Sequence, residues 1–310
     1  ARIECNGIVD IKHLSRKMRN ISRSMLRHET SKLWGIVLWL DMIKSPDVYK
    51  ELRARIDRHA IPFPETSSGV ELRLLRAVFD EEEARVACAL GAIGEPLRKI
   101  MPRLKKLTYT EPEVVAMLDR LAVKGAIHRG MVKSGNGRER AYSLLPIAVG
   151  MFEMQVDRLT EEYAKDFDEY LTDGFSEAFY TPRTHQLRTV PVGKALKSEK
   201  SVGAYDDIRA YIESIKGPFA VMNCVCRQAK ELRGGSCDHG DARETCLTVG
   251  AAAVGMSRRG NARLIKKAEI IQILERAEKK GFVLQPENTQ NPDYICCCCS
   301  DCCEIITTAK

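Results

Sequence analysis

Ten of the twelve cysteines in this chain lie between Cys224 and Cys303, and six of them occupy the eight residues Cys296–Cys303. Thiolates are soft ligands that select zinc, copper(I) or iron–sulfur clusters, so this density points to metal chemistry. The first ligand set is Cys224-Val-Cys226, then Cys237, then Cys246. The second is the tail Cys296-Cys297-Cys298-Cys299-Ser300-Asp301-Cys302-Cys303. Adjacent cysteines are poorly placed to bridge each other, because a disulfide wants its Cα atoms about 5.5 Å apart.

Two zinc sites would be the simpler metal alternative. Against it, zinc ribbons use paired CxxC knuckles, and the tail oversupplies a closed site of four ligands. Within the tail, Cys296, Cys299 and Cys302 have CxxCxxC spacing, by which one loop can hold three corners of an iron–sulfur cubane. The remaining candidates read as ordinary residues: Cys5 and Cys88 are remote in sequence, and His239, in the polar segment CDHGD, reads as a surface histidine.

Pro218–Met222 is apolar and strand-like and leads into Cys224. Cys246 is expected on or beside a helix running into Ala251–Ala253. Residues 264–281 have amphipathic helical spacing with Gly281 as the stop, and Phe282–Leu284 follows as a strand. Tyr205–Ile215 reads as a short helix. Residues 148–180 read as helical, with the aromatic face Phe152, Tyr163, Phe167, Tyr170, Phe175 and Phe179 packing between the two halves of the chain.

Further upstream, Asp80 is placed to cap a helix with Glu81–Glu83 in its first turn. Ile100–Leu107 reads as a short helix. Thr110 caps another whose apolar positions are Val114, Val115, Leu118, Leu121 and Ala122, with Gly125 as its stop. Ala126–Arg129 and Arg138–Leu144 form a hairpin around Lys133–Gly137. This order of helices and hairpin resembles a winged helix-turn-helix through EVVAMLDRLAVKGAIHRG and GRERAYSLLP. The resemblance offers Arg120, Lys124, Arg129, Lys133, Arg138 and Arg140 as phosphate contacts, but the interspersed Glu111, Glu113 and Asp119 favour a packing or protein-contact role over DNA.

The 310 residues are 44% hydrophobic and 29% charged, sufficient for an apolar core without disulfides. The formal charge is +7, and residues 1–60 hold 13 basic and 7 acidic groups, so 13 − 7 = +6 of the excess sits there. Anionic clusters would offset part of that charge and weaken any argument to nucleic acid. Leu33–Leu40 is the longest apolar stretch at eight residues, short of a membrane span. The basic and apolar segment 12–40 leaves peripheral membrane contact open, though a buried helix is favoured. The start of the sequence has no secretion-signal pattern, so the expected compartment is the cytoplasm, where thiols stay reduced.

FPETSSGVELRLLRAVFDEEEA, NCVCRQ, ETCLTVG, EIIQILERAEKKGFV and ICCCCSDCCEII together resemble the 4Fe-4S binding, ferredoxin-type proteins of anaerobic bacteria and archaea. The resemblance samples the chain from about residue 63 to its end. It implies an α+β protein: a helical basic segment (1–62), a winged-helix-like part (63–180) and a ferredoxin-like double-cluster domain (201–310). It also implies two [4Fe–4S] clusters. The family tail carries Asn and Gly where this chain has Cys297 and Ser300, which makes Cys297 the preferred spare. The ligands so implied are Cys224, Cys226, Cys237, Cys246, Cys296, Cys299, Cys302 and Cys303, with Cys298 as the alternative to Cys303.

Ferredoxins with two clusters exchange their last cysteines between motifs. That pattern assigns Cys246, Cys296, Cys299 and Cys302 to one cluster and Cys224, Cys226, Cys237 and Cys303 to the other. Arg227, Lys230 and Arg233 either raise the potential of a nearby cluster or form a solvated face. The chain has no Gly-rich nucleotide loop, no HExxH and no nucleophile motif. The expected role is a low-potential electron carrier or relay docking to a redox enzyme. An iron–sulfur DNA-binding regulator is the alternative, and an enzyme using a thiolate-free iron is a third reading, disfavoured because cysteines are in excess.

Overall fold

The computed structural model describes residues 47–182, 186–188, 208–240 and 243–308. The expectations placed on residues 1–46, including Cys5 and segment 12–40, lie outside these described residues. Helix α1 (Val48–Ile56) buries Leu52 and Ile56, and α2 (Val70–Val78) buries Val70, Leu74 and Leu75 in the same core. Helix α3 (Glu81–Ala87) begins as its sequence requires: the Asp80 carboxylate accepts the Glu83 N–H, and the Glu83 carboxylate accepts the Asp80 N–H. Strand β1 (Glu95–Pro96) and α4 (Leu97–Ile100) follow, continued by a single turn over Met101–Leu104. The expected helix therefore starts and ends a turn early.

Helix α5 (Glu111–Lys124) starts at Thr110, whose N–H and hydroxyl both donate to the Glu113 carboxylate at 2.7 Å. Gly125 ends it with φ 74°, a left-handed conformation that other residues adopt at a cost. Strands β2 (Ile127–Ser134) and β3 (Gly137–Leu144) pair from Ile127↔Leu144 to Ser134↔Gly137, and β1 adds to the far edge in the order β1-β3-β2.

Residues 148–180 are not helical throughout. Ala148–Gly150 is non-helical, the Gly150 N–H is taken by the Glu153 carboxylate, and Asp157 sits at φ 63°. Helix α6 (Glu161–Tyr170) restarts only where the Thr160 hydroxyl accepts the Tyr163 N–H, and α7 (Ser176–Tyr180) follows. The aromatic face is core, as its spacing implies. Phe152 and Phe167 stack at 3.7 Å, in one cluster with Met222, Val225 and Ala229 from the cysteine-rich half.

That half holds α8 (Ile208–Ser214), β4 (Phe219–Asn223), α9 (Val225–Leu232), β5 (Glu244–Val249) and α10 (Gly250–Arg258). It continues with β6 (Arg263–Ile265), α11 (Lys267–Lys279), β7 (Val283–Pro286), β8 (Tyr294–Cys298) and α12 (Glu304–Thr307). The strands form one antiparallel sheet in the order β6-β4-β5-β8-β7. Two expectations change here. Leu264 and Ile265 leave the helical stretch because they pair with Ala220 and Phe219 at the sheet edge. Cys246 lies within β5, directly opposite Cys296, rather than on a helix.

One face of this sheet packs Leu247, Val249 and Ile295 against Ile270, Ile273 and Leu274 of α11. The other turns Met222, Cys246 and Cys298 into the core that reaches back to α1. Val48–Lys310 is thus one compact unit. The class is α+β with two small antiparallel sheets, and the strand orders identify neither a winged-helix nor a ferredoxin topology. Among the described residues no helix is long and apolar enough to cross a membrane.

Candidate metal centre

The cysteine run Cys296–Cys298 is a strand, not a loop, and a strand turns successive side chains to opposite faces. Cys296 and Cys298 interact with each other on one face. Cys297 packs on the other among Ile270, Ile273 and Leu274, 1% exposed, and burial pushes its thiol up. After the strand ends, Cys299 and Cys302 join that second side while Cys303 returns to the first. Strand periodicity thereby separates Cys297 from Cys296 and Cys298, while Cys299, Cys302 and Cys303 lie beyond the strand.

The inner group gathers Cys224, Cys226, Cys246, Cys296, Cys298 and Cys303 around a cavity of about 40 Å3, whose lining Cys297, Cys299 and Cys302 also reach. Cys224 is the residue preceding α9 and Cys226 lies in its first turn, where the helix N–H groups favour thiolate. Sulfur-to-sulfur interactions run unbroken from Cys224 through Cys226, Cys303, Cys298 and Cys296 to Cys246. Along that chain the thiols alternate. Cys224 is lowered by the neighbouring Cys226 thiol, Cys303 by Cys226 and Cys298, and Cys296 by Cys246 and Cys298. Their partners Cys226, Cys246 and Cys298 are raised in consequence. Gln285 donates its side-chain N–H to Cys303 Sγ at 3.6 Å. Glu153 lines the same cavity, where burial pushes its carboxyl up to about 8.

The outer group is Cys237, Cys299, Cys302 and Asp301, whose ligand atoms all lie within 4.8 Å of one another. Cys237 Sγ and Cys299 Sγ are 3.7 Å apart. Cys237 comes from the exposed loop that follows α9 and is itself half-buried, whereas Cys299 and Cys302 are 2% and 3% exposed. Burial opposes a Cys237 thiolate, but the His239 N–H and Arg227 outweigh it and lower the thiol. Asp301 Oδ2 accepts from Lys230 Nζ at 3.1 Å, the Asp238 N–H at 2.9 Å and Cys302 Sγ at 3.2 Å. His239, beside this group, sits 3.6 Å from Asp301 Oδ1 and edge-on to Phe282.

Arg227 stands between the groups. It is 2% exposed, donates Nη1 to the Thr245 hydroxyl and lies 4.7 Å over the Phe282 ring. Its Nε and Nη2 are buried and complete no hydrogen bond to the protein. Burial disfavours its charge, yet Cys224, Cys237 and Cys299 raise its pKa on balance. A buried cation with unfilled donors facing sulfur from both sides fits anionic metal–sulfur groups, whose sulfurs accept hydrogen bonds. No family model, curated protein or solved structure matches the chain.

Of the nine cysteines considered as ligands, all but Cys237 line the cavity, and Cys299 and Cys302 belong also to the outer group with Cys237. The expected division placed Cys237 apart from Cys299 and Cys302, and the structure brings these three together. Cys299 and Cys302 lie within ligating reach of Cys237 and also line the cavity that holds Cys246 and Cys296. Among the described residues, only the outer group gathers its atoms at metal-ligating separation. Asp301 and Glu153 escaped sequence reasoning. The signal for Asp301 was its place between Cys299 and Cys302, whereas Glu153 arrives from a distant segment.

The three basic residues beside the cysteines also separate. Lys230 pairs with Asp301 and Arg233 with Glu304 at 3.0 Å, leaving Arg227 as the cation without a carboxylate. On the hairpin unit, Arg129 and Arg140 are both held by Asp119, at 3.1 and 2.8 Å, and Lys124 by Glu83 at 2.7 Å.

Proposed function

We propose that this chain is an iron–sulfur electron-transfer protein of the ferredoxin type, holding two [4Fe–4S] clusters and relaying single electrons to a redox enzyme. The observation that carries the reading is Arg227, a buried guanidinium with two unfilled donors between two thiol groups. The cation offsets the negative charge of thiolate-bound metal, and a supply of thiols beyond one closed site of four ligands favours clusters over zinc. The inner cluster draws four ligands from Cys224, Cys226, Cys246, Cys296, Cys298 and Cys303, and the outer one is held by Cys237, Cys299 and Cys302. The clusters supply reversible one-electron chemistry. The protein's own part is to exclude water from the inner group, present the outer group near the surface and stabilise added negative charge with Arg227.

Residues 63–180 would serve as the docking module rather than as a DNA reader, since Lys124, Arg129 and Arg140 are already neutralised by carboxylates. Substitution by group tests the reading. Cys299→Ser with Cys302→Ser leaves one outer thiol and removes half of the iron and sulfide. Cys226→Ser, Cys298→Ser and Cys303→Ser together leave three inner thiols and remove the other half. Unchanged iron and sulfide in both variants overturns the assignment.

A further inference from the structure

A groove of about 400 Å3 opens between the start of β5 and the last turns of α11. Thr245 and Phe282 are its buried lining, and Arg243, Arg276 and Lys280 its exposed one. The positive charge exceeds what the protein itself neutralises. Arg243 is matched by Glu231 at 2.9 Å, and Glu244, the carboxylate of the groove, by Arg263 at 2.7 Å. Among the described residues neither Arg276 nor Lys280 pairs with a carboxylate, and Lys280 Nζ donates instead to the His239 carbonyl at 2.6 Å. Like charges four residues apart repel, and an anionic partner relieves that cost. The negative end of the α11 dipole accounts for basic residues in this turn. It does not account for their place around a concavity that touches both thiol groups.

Three contacts make that connection. The Arg243 carbonyl accepts the Cys224 N–H at 2.8 Å. Thr245 lines the groove and the thiol cavity alike, and its hydroxyl takes Arg227 Nη1. Lys280 holds the carbonyl of His239, the residue whose backbone N–H donates to Cys237. Phe282 completes the lining beneath Arg227, 4.7 Å from its guanidinium carbon. A molecule seated in the groove is therefore one residue away from the inner group and from the outer group.

We propose that this groove is the port at which a soluble carrier protein with an acidic docking face exchanges electrons with the chain. This rests on the iron–sulfur reading above. A relay meets two partners: residues 63–180 dock the chain to its enzyme, and the groove receives the carrier. Opposite charge on the two faces steers the encounter and sets its register. All three cations are exposed, which suits a brief protein contact rather than the enclosure of a small anion. One electron passes between the carrier's own redox group and a cluster, and no bond is made or broken.

The test follows oxidation of the full chain, reduced and freed of reductant, by stopped-flow absorbance. Two protein probes each take one electron from a reduced cluster: oxidised flavodoxin, an acidic carrier, and ferric cytochrome c, a basic one. Wild type is expected to reduce flavodoxin at a rate that falls with salt. Arg276→Glu with Lys280→Glu is expected to lower that rate by about tenfold or more and to raise the rate with cytochrome c. Arg276→Glu alone, which leaves the Lys280 bond to His239 intact, is expected to show part of the same loss. Lys133→Glu with Arg138→Glu makes the same change in net charge at the exposed end of the β2–β3 hairpin and is expected to leave both rates unchanged. Iron content and thermal melting show that each variant is folded and loaded. If the groove variants match wild type, or the hairpin pair loses as much, the inference is overturned while the iron–sulfur reading stands. Phosphate that blocks the flavodoxin reaction at constant ionic strength, and is retained in dialysis by wild type but not by the groove variants, marks a small-anion site and overturns the carrier assignment. A chain with no reducible cluster overturns both.

Discussion

Replacing Arg227 by Gln keeps a hydrogen-bonding side chain opposite Thr245 and removes the buried charge shared by the two thiol groups. A unit charge ~6 Å from a cluster, in surroundings with an effective dielectric constant of ~20, interacts by about 3 kcal/mol with each added electron. For a one-electron couple that corresponds to about 120 mV. The reduced cluster is the more negative form, so losing the cation makes reduction harder and lowers the potential. Because cysteines of both groups, Cys224, Cys237 and Cys299, hold the Arg227 pKa up against burial, both centres are expected to move in the same direction. The assay is a redox titration followed by EPR, with Arg227→Lys as a charge-retaining control that recovers most of the shift. Two potentials unchanged in Arg227→Gln, or an equal fall in Arg227→Lys, would refute the electrostatic argument.

Two further predictions concern the parts of the chain that hold the site. Gly125→Ala meets two obstacles, a φ of 74° and a Cβ that would come 2.3 Å from Met154 Cβ, so a loss of about 2–3 kcal/mol is expected by chemical denaturation. A loss below about 0.5 kcal/mol would show that Met154 moves aside freely. Cys88 is 6% exposed and burial pushes its thiol up to about 12. It should therefore resist iodoacetamide at pH 8 in the folded protein and react after denaturation; rapid labelling in the native state, read by peptide mass spectrometry, contradicts its placement.

The parts of this structure legible in the sequence are those set by local chemistry. The Asp80–Glu83 capping box, the Thr110 start and Gly125 stop of α5, and the apolar strand before Cys224 follow from short-range rules. The aromatic face at Phe152 and Phe167 was legible as core, but the break at Ala148–Gly150 was not, because it depends on Glu153 taking the Gly150 N–H. Leu264 and Ile265 have helical spacing and are drawn into β6 by pairing with β4, a long-range effect. The cysteines show the same limit. Their number could be read from composition, while the opposite facing of Cys297 from Cys296 and Cys298 required knowing that Cys296–Cys298 is a strand opposite Cys246. Within that strand period-two alternation turns Cys297 away from Cys296 and Cys298, and the loop beyond it brings Asp301 beside Cys237, Cys299 and Cys302.

The central claim is that the two thiol groups hold iron–sulfur clusters. Its most direct test is the iron and acid-labile sulfide content of the full chain purified without oxygen, together with EPR after dithionite reduction. The account predicts about eight irons and about eight sulfides per chain, with the broadened, interacting signals of two neighbouring reduced clusters. Zinc bound in place of iron, with no sulfide and no EPR signal on reduction, would contradict it.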